Sequence, residues 1–304
     1  MSRPHDFAAP SLVDRAAHLR ETIDPAACHA VIVHRGSVAV TDSGLALVPP
    51  GAHPDASSVV FLGTAHDQHL VTIVPDEPDS ALPSHARWAP LRDVLMQASA
   101  LEKGSLEAEL ATTAVAITTW HDTHGHCPRC GSPTQPRQAG WTRQCASCER
   151  ELYPRTDPAM IVAITDDQDR LLLAHGARFS RRRYSVLAGF VEPGESLEHA
   201  VHREVREEVG IGVTDVTYLG SQPWPFPGSV MTAFKARAIE TELHLDKEEI
   251  LDARWVSRDE LPELIEAGEL VPPPVGSIAS RMVAMWLRGD GGPMPGWGND
   301  VSGT

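Results

Sequence analysis

The 304-residue sequence is short of basic residues: 26 lysines and arginines face 41 aspartates and glutamates, which gives a formal net charge of −15. Proteins that hold nucleic acid over a broad surface carry the opposite charge, so this composition speaks against a general polyanion binder. A local cationic patch is still compatible with it, for example at Arg181, Arg182 and Arg183.

Long apolar runs are also missing. No stretch approaches the ~20 residues that cross a bilayer. Residues 1–10 include Arg3, His5 and Asp6 and have no apolar core, so we expect no secretory leader. With 42% hydrophobic and 22% charged residues, the composition is that of a globular protein, and the length suggests two or three domains.

Cysteine is scarce as well: four of the five cysteines fall in two close pairs, and Cys28 stands alone as an expected buried apolar residue. This usage suits a metal site in a reducing cytoplasm better than a disulfide framework. The pairs are Cys127-Pro-Arg-Cys130 and Cys145-Ala-Ser-Cys148. Two such knuckles let four thiolates surround one structural Zn²⁺ in a zinc ribbon of two hairpins. The alternatives to a zinc site are a redox dithiol and an iron–sulfur cluster. Three nearby histidines, His121, His124 and His126, are expected at the surface or beside the ligands.

The rest of the chain alternates strand and helix patterns. Before the cysteines, apolar, β-branched runs separated by turns predict strands at residues 30–34, 37–41, 45–48, 59–63 and 69–74. Helical patterns cover 12–20, 91–101 and 106–122, with a linker at 75–83. This first part contains no recognisable catalytic constellation and no internal repeat. We expect an N-terminal α/β domain at 1–122, a zinc ribbon at 123–153, a further α/β domain at 154–288 and a flexible tail at 289–304.

The most informative stretch is residues 189–211, a glycine loop that opens an acidic helix. Ser196 is the expected N-cap and Gly210 the expected C-cap. Glu204, Glu207 and Glu208 are spaced so that their carboxylates can converge on one point. Such a face is often simply solvated, but a hard cation, Mg²⁺ or Mn²⁺, is the sharper explanation because it takes carboxylate oxygens and substrate phosphates.

A third motif follows at residues 221–229, Ser-Gln-Pro-Trp-Pro-Phe-Pro-Gly-Ser. Its three prolines make a stiff, extended segment that holds two aromatic rings and an amide. The rings suit stacking on a nicotinamide or adenine base, and filling a core is the equally weighted alternative.

The acidic stretch resembles the Nudix box. The positions that the box specifies are all matched, by Gly189, Glu195, Arg203, Glu204, Val205, Glu207, Glu208, Gly210 and Ile211. Together with the ribbon and the 221–229 segment, it resembles the NADH pyrophosphatase branch of the Nudix hydrolases, which also remove NAD caps from RNA. The resemblance implies a Nudix α/β/α sandwich with a mixed sheet, preceded by the zinc ribbon and a small α/β domain. It also implies a homodimer.

The resemblance further implies the site residues. The catalytic residues would be Glu204, Glu207 and Glu208. The Mg²⁺ or Mn²⁺ ligands would be the same three glutamates, the Ala188 carbonyl and Glu249, with a one-residue uncertainty toward Glu248. Zinc would sit on Cys127, Cys130, Cys145 and Cys148. The substrate would contact Tyr153, Gln222, Pro223, Trp224, Pro225, Phe226, Pro227, Gly228, Ser229 and Ala279.

The implied activity is metal-dependent hydrolysis of NAD(H) to nicotinamide mononucleotide and AMP, with NAD-capped RNA as a further substrate. Either Glu207 or Glu208 would take the proton of the attacking water, while Glu195 and Arg203 are expected to brace the loop as an ion pair. One alternative is a Nudix hydrolase of another dinucleotide, such as ADP-ribose or a diadenosine polyphosphate. The other is a zinc-ribbon nucleic-acid-binding module with an inert Nudix fold.

Overall fold

The computed structural model of the chain describes residues 11–100, 106–180 and 182–288, with the backbone alone for residues 98–100. The expectations for residues 1–10, for Arg181 and for the tail from residue 289 lie outside these ranges. Among the described residues, one compact unit holds residues 11–156 and 224–228, and a second holds 157–223 and 229–288. No helix in the described ranges is long and apolar enough to cross a membrane.

The N-terminal domain is a mixed seven-stranded sheet with helices. Its elements are β1 His29–His34, β2 Ser37–Thr41, β3 Gly44–Leu45, β4 Leu47–Val48, β5 Ala56–Ala65, β6 Gln68–Pro75, α1 Pro78–Ala81, β7 Arg87–Pro90, α2 Leu91–Ala100 and α3 Leu106–Thr123. The main strand order is β3-β2-β1-β6-β5, with β1 and β6 parallel.

Alternation along β1 divides the core of this domain into two layers. Val31 and Val33 pack in a cluster with the buried face of α3, whereas Ala30 and Ile32 join Cys28 in a second cluster. Cys28 is fully buried, which confirms its expected role as an apolar core residue.

Three local predictions in this domain were wrong. The predicted helix at 12–20 is only a 3₁₀ turn at Ala17–Leu19, because Ala16 has a left-handed φ of 41° and Asp14 pairs with Thr64 of β5. The predicted strand at 45–48 is divided into β3 and β4. Ala46 lies between these two strands, and its N–H donates a hydrogen bond to the Ala39 carbonyl. The predicted linker at 75–83 contains the short helix α1.

The ribbon is a three-stranded antiparallel sheet of β8 Thr134–Arg137, β9 Thr142–Cys145 and β10 Glu151–Leu152. The two expected hairpins therefore share β9. The ribbon packs on β5 of the N-terminal domain, where the Trp141 Nε1 donates a 2.6 Å hydrogen bond to the Phe61 carbonyl. A Cβ on Gly140 would lie 2.6 Å from Val60 Cγ2, so only glycine allows this close approach.

The C-terminal domain is a six-stranded mixed sheet between helices. Its elements are β11 Asp157–Thr165, β12 Leu171–Gly176, β13 Leu187–Phe190, α4 Leu197–Val209, β14 Val213–Trp224, β15 Ser229–Ala238, β16 Ile250–Val256, α5 Glu260–Glu266 and α6 Ile278–Arg288. The main order is β14-β15-β11-β12-β16, and β13 pairs with β11. β11 runs parallel to β15 and antiparallel to β12 and β13.

The central strand β11 shows why helices cover both faces. Met160, Val162 and Ile164 point into the core that α4 closes, while Ile161 and Ala163 point into the core that α6 closes. A strand buried on both faces needs apolar residues at consecutive positions rather than alternation, and β11 has them. The predicted α/β/α sandwich with a mixed sheet is confirmed.

Candidate active site

Helix α4 carries the acidic face, and its ends follow the sequence signals. The Ser196 Oγ accepts a 3.1 Å hydrogen bond from the His199 N–H, and Gly210 ends the helix with a left-handed φ of 74°. The opposite face of α4 buries four apolar residues against the sheet, Ala200, Val201, Val205 and Val209. This packing fixes the rotation of the helix and so fixes where its glutamates point.

Glu208 is the buried carboxylate of this face, with 7% of the residue exposed. Its Oε2 is buried and has no hydrogen-bond partner among the described residues. Burial, followed by the charges of Glu204 and Glu249, raises the pKa of Glu208 to about 8. Burying a carboxylate without a partner costs free energy, and a cation bound to this oxygen would offset that cost.

Glu204 lies against the loop strand β13. Gly194 in this loop has a left-handed φ of 95°, whereas the Gly189 backbone does not adopt a positive φ. Gly189 is needed because its missing side chain leaves room for the Glu204 carboxylate. Burial raises the pKa of Glu204, and the neighbouring Arg203 opposes that shift.

Arg203 connects the loop to the helix. Its Nε and Nη2 donate to the two oxygens of Glu195 at 2.6 and 3.0 Å, and Nη2 also donates to the Phe190 carbonyl at 2.9 Å. This bidentate pair lowers the pKa of Glu195 to about 2. The brace expected from the sequence is therefore present.

Arg203 has a second role that the sequence analysis missed. Its Nη1 lies 3.0 Å from a Glu204 oxygen and 2.9 Å from a Glu207 oxygen, so one guanidinium holds both carboxylates. The i,i+4 spacing of Arg203 and Glu207 was the signal that could have predicted the second contact.

Among the described residues, only the four ribbon cysteines bring three or more possible ligand atoms within 4.8 Å of one another. The three glutamate carboxylates are spread more widely, because like charges repel and Arg203 contacts both Glu204 and Glu207. The buried, unpartnered Glu208 oxygen still fits a hard divalent cation.

Glu249 lies close enough to this cluster for its charge to raise the pKa of both Glu204 and Glu208. Glu249 is exposed immediately before β16. Ala188 is also exposed, on β13 opposite Ile161, one residue before Gly189.

The predicted substrate residues divide between the two compact units. Gln222 and Ala279 belong to the C-terminal unit, where the Gln222 side chain donates to the Gly276 carbonyl at 2.9 Å and accepts from the Ile278 N–H at 2.7 Å. Gln222 thus anchors the start of α6. Ala279 is buried in the same helix. Pro223 is exposed at the end of this unit, and Ser229 is buried at the start of β15.

The segment 224–228 and Tyr153 belong to the other unit. Trp224 and Phe226 meet edge to face with ring centroids 5.0 Å apart, and Phe226 packs against the core of the N-terminal domain under Arg92. Pro225 is buried, and Pro227 follows a cis peptide bond before Gly228. Tyr153 is 65% exposed, with its hydroxyl bonded to Glu151.

The four ribbon cysteines form a second candidate metal centre. The Cys127–Cys148 and Cys130–Cys148 sulfur pairs are 3.7 Å apart, and the Cys130–Cys145 pair is 3.5 Å apart. A tetrahedron of Zn–S bonds of about 2.3 Å has edges of about 3.8 Å, so the thiols fit zinc. The Ser132 N–H lowers the pKa of Cys130 to about 6, which favours the thiolate that zinc binds.

The neighbouring histidines are not part of this cluster. His121 is buried, so of the two positions expected for it, at the surface or beside the ligands, the first was wrong. Its Nε2 donates to the Gly140 carbonyl at 2.7 Å, and its Nδ1 accepts from Arg143 at 2.7 Å. Both ring nitrogens of His121 are therefore hydrogen-bonded, and the side chain connects α3 to Gly140 and Arg143 of the ribbon. His124 bonds to the Trp120 carbonyl, and His126 bridges to Pro133.

Comparison with known proteins assigns each domain. Residues 155–274 match the NUDIX domain, and residues 122–153 match the NADH pyrophosphatase zinc ribbon domain. The chain belongs to the zinc-ribbon branch of the Nudix family. Residues 28–120 match the NADH pyrophosphatase-like rudimentary NUDIX domain. The sequence alone did not predict this relationship, because residues 28–120 lack the acidic box.

Curated relatives carry names from the same branch. The chain is 37% identical over 252 residues to Nudix hydrolase 19, chloroplastic, of Arabidopsis thaliana, which covers 78% of this chain and 58% of that protein. It is 42% identical over 188 residues to the NAD-capped RNA hydrolase NudC of Mycobacterium bovis (59% and 60% covered). It is 43% identical over 175 residues to NudC of Salmonella agona (58% and 65% covered). The matches thus span about three fifths of these relatives.

Proposed function

We propose that the chain is a metal-dependent hydrolase that cleaves the pyrophosphate of NAD(H) and removes NAD caps from RNA. Water would add across the P–O–P bridge of NAD(H) to give nicotinamide mononucleotide and AMP. On capped RNA the same step would release nicotinamide mononucleotide and leave a 5′-monophosphate on the RNA. The relatives named NAD-capped RNA hydrolase support this choice of substrate.

One structural observation carries the proposal: the Glu208 oxygen is buried without a partner inside a cluster of like charges. A folded protein keeps such a group only when something compensates it in the working state. A divalent cation held by Glu208 and the neighbouring carboxylates would supply that compensation.

The residues of the chain would divide the work as follows. Glu204, Glu207, Glu208 and Glu249, with the Ala188 carbonyl, would hold Mg²⁺ or Mn²⁺, which when bound neutralises phosphate oxygens and lowers the pKa of water. Arg203 positions Glu204 and Glu207, because it contacts both carboxylates and is itself fixed by Glu195. Either Glu207 or Glu208 would accept the proton of the attacking water.

The substrate contacts and the assembly belong to the same proposal. Tyr153, the segment 222–229 and Ala279 would bind the dinucleotide, and the ribbon would hold one structural Zn²⁺ per chain. Pairs of chains would form a homodimer in the cytoplasm. The exposed ring of Tyr153 is the feature most open to a ligand, whereas Phe226 already fills a core.

The decisive experiment is incubation of the purified, zinc-loaded protein with NADH and Mg²⁺ or Mn²⁺, followed by chromatography of the products. We expect reduced nicotinamide mononucleotide and AMP in equal amounts. A panel with ADP-ribose and diadenosine polyphosphates tests the other dinucleotides. If NADH survives in both metals while another dinucleotide is cleaved, the substrate assignment is wrong; if all survive, the proposed hydrolase activity is wrong.

A further inference from the structure

The loop between β12 and β13 starts beside a proposed cation ligand. The Ala177 N–H donates a 2.8 Å hydrogen bond to the Glu249 carbonyl. Gly176, the last residue of β12, pairs with Ile250, the residue after Glu249. The loop therefore leaves the sheet at the edge where the acidic cluster lies.

The loop is held at its far end. The Arg182 carbonyl accepts from the Val271 N–H at 2.7 Å, and the Tyr184 N–H donates to the Val271 carbonyl at 2.9 Å. The Arg182 side chain adds a 2.8 Å bond to the Gly268 carbonyl. Because both ends are fixed, less conformational entropy is lost when the side chains of the loop bind a partner.

The loop concentrates positive charge in an acidic protein. Its sequence, Ala-Arg-Phe-Ser-Arg-Arg-Arg for residues 177–183, has no acidic residue, although the chain carries a net charge of −15. Arg178 and Arg183 form no ion pair with any residue that the structure describes. Five other arginines of this domain do have carboxylate partners, namely Arg170, Arg203, Arg206, Arg254 and Arg258.

An aromatic ring accompanies these charges. Phe179 is 46% exposed, next to the exposed Arg178. Arg183 is half-buried, and its Nε donates to the Ser180 Oγ at 3.3 Å. Arginines near an exposed aromatic ring are a combination that binds single-stranded nucleic acid, through phosphates and stacked bases. A free dinucleotide carries only the phosphates of its own pyrophosphate, whereas an RNA carries further phosphates beyond the cap that arginines can bind.

We infer that the β12–β13 loop binds the RNA that follows the NAD cap, with Arg178 and Arg183 on phosphates and Phe179 on a base. This inference rests on the proposed function and adds to it a preference between the two substrates. The loop favours capped RNA over free NAD(H), because only the RNA substrate extends past the cation site to reach it.

The test is the double variant Arg178→Gln/Arg183→Gln in the full-length, zinc-loaded chain. We expect the ratio of kcat/KM for a short NAD-capped RNA to kcat/KM for NADH to fall about tenfold, because two phosphate contacts are lost. The slope of log(kcat/KM) for the RNA against log[salt] should become shallower by about 1.4. Phe179→Ala should lower the same ratio, and Phe179→Trp should restore it, since both Phe and Trp stack on bases.

The matched control is Arg237→Gln. Arg237 is exposed near the end of β15 and pairs with Thr165, at the opposite end of the sheet from Gly176. An unchanged ratio in the double variant would overturn the inference. So would an equal loss on both substrates, which would place the arginines on the dinucleotide, or an equal effect of Arg237→Gln, which would indicate net charge alone.

Failure of the proposed function is separable from failure of this inference. If the unmodified protein cleaves neither substrate, the proposed function is wrong, and the loop is then tested by fluorescence anisotropy of labelled capped RNA in EDTA. Weaker binding by the double variant than by Arg237→Gln would support the RNA contact. Equal binding by the two variants would refute it.

Discussion

Gly189 and Glu204 share one small space: a Cβ on Gly189 would lie 2.0 Å from the Glu204 Cδ. Gly189 stands in β13 without a positive φ, so its role here is to leave volume empty. Glu204 fills that volume and contacts Arg203 from it. The first glycine of the box thus determines where a helix glutamate is held.

We predict that Gly189→Ala lowers kcat by more than about 100-fold, because the Glu204 carboxylate has to leave its place. The measurement is steady-state NADH hydrolysis together with a thermal melt. Gly194→Ala is the matched control: its Cβ meets nothing within 4 Å, but its φ of 95° makes alanine strained. We expect this control to lose about 1 kcal/mol of stability and to keep its activity within a few-fold. Similar activity losses in both variants would refute the steric explanation.

The next prediction concerns Glu208→Gln. The amide keeps the shape of the side chain but removes the charge that the cation requires, so turnover should fall at least tenfold while the protein stays folded. Steady-state kinetics and circular dichroism check this outcome. Glu248→Gln, an exposed neighbour of Glu249 outside the proposed ligand set, should keep its activity. Activity above a tenth in Glu208→Gln would contradict the cation assignment.

A stability prediction follows from the pKa of Glu208, which is raised from 4.5 to about 8. Between these two pH values the folded chain keeps a proton that the unfolded chain has lost, so its stability falls as pH rises. In EDTA, the Tm of the unmodified protein should therefore drop relative to that of Glu208→Gln between pH 5 and pH 8, by about 5 °C. Adding Mg²⁺ should raise the Tm of the unmodified protein at pH 8 and leave the variant unaffected. Parallel melting curves at all pH values would refute the buried-charge explanation.

The last prediction concerns zinc. Cys130→Ser removes one of four thiolates, so the purified variant should lose most of its zinc and the ribbon should become sensitive to protease. Cys28→Ser is the control because this cysteine is buried in the N-terminal core, far in sequence from the ribbon. Metal analysis measures the zinc content, and limited proteolysis measures the protease sensitivity of the ribbon. Full zinc content in Cys130→Ser, or equal loss in Cys28→Ser, would contradict the four-cysteine site.

The sequence predicted those features that depend on residues close together along the chain. The two Cys-x-x-Cys knuckles predicted the ribbon, since ligands three residues apart meet within one turn of chain. Ser196 and Gly210 predicted the ends of α4, because caps act within a few residues.

Local reasoning failed where contacts between distant residues decide the structure. The helix predicted at residues 12–20 was lost to the pairing of Asp14 with Thr64. His121 was expected at the surface or beside the zinc ligands, yet it is buried and bonds Gly140 and Arg143 through its two ring nitrogens. No pattern within a window of ten residues contains these partners.

The sequence by itself determined the list of chemical groups: four thiolates, a row of glutamates and a stiff aromatic segment. Only the tertiary structure decided that Glu208 is buried while Glu207 is exposed, that the charge of Glu249 acts on Glu208, and that Arg203 contacts two glutamates of the helix. The physical reason is that burial and charge–charge interactions depend on distance in space. Spacing along one helix fixes the direction of a side chain, but the elements packed around that helix fix its environment.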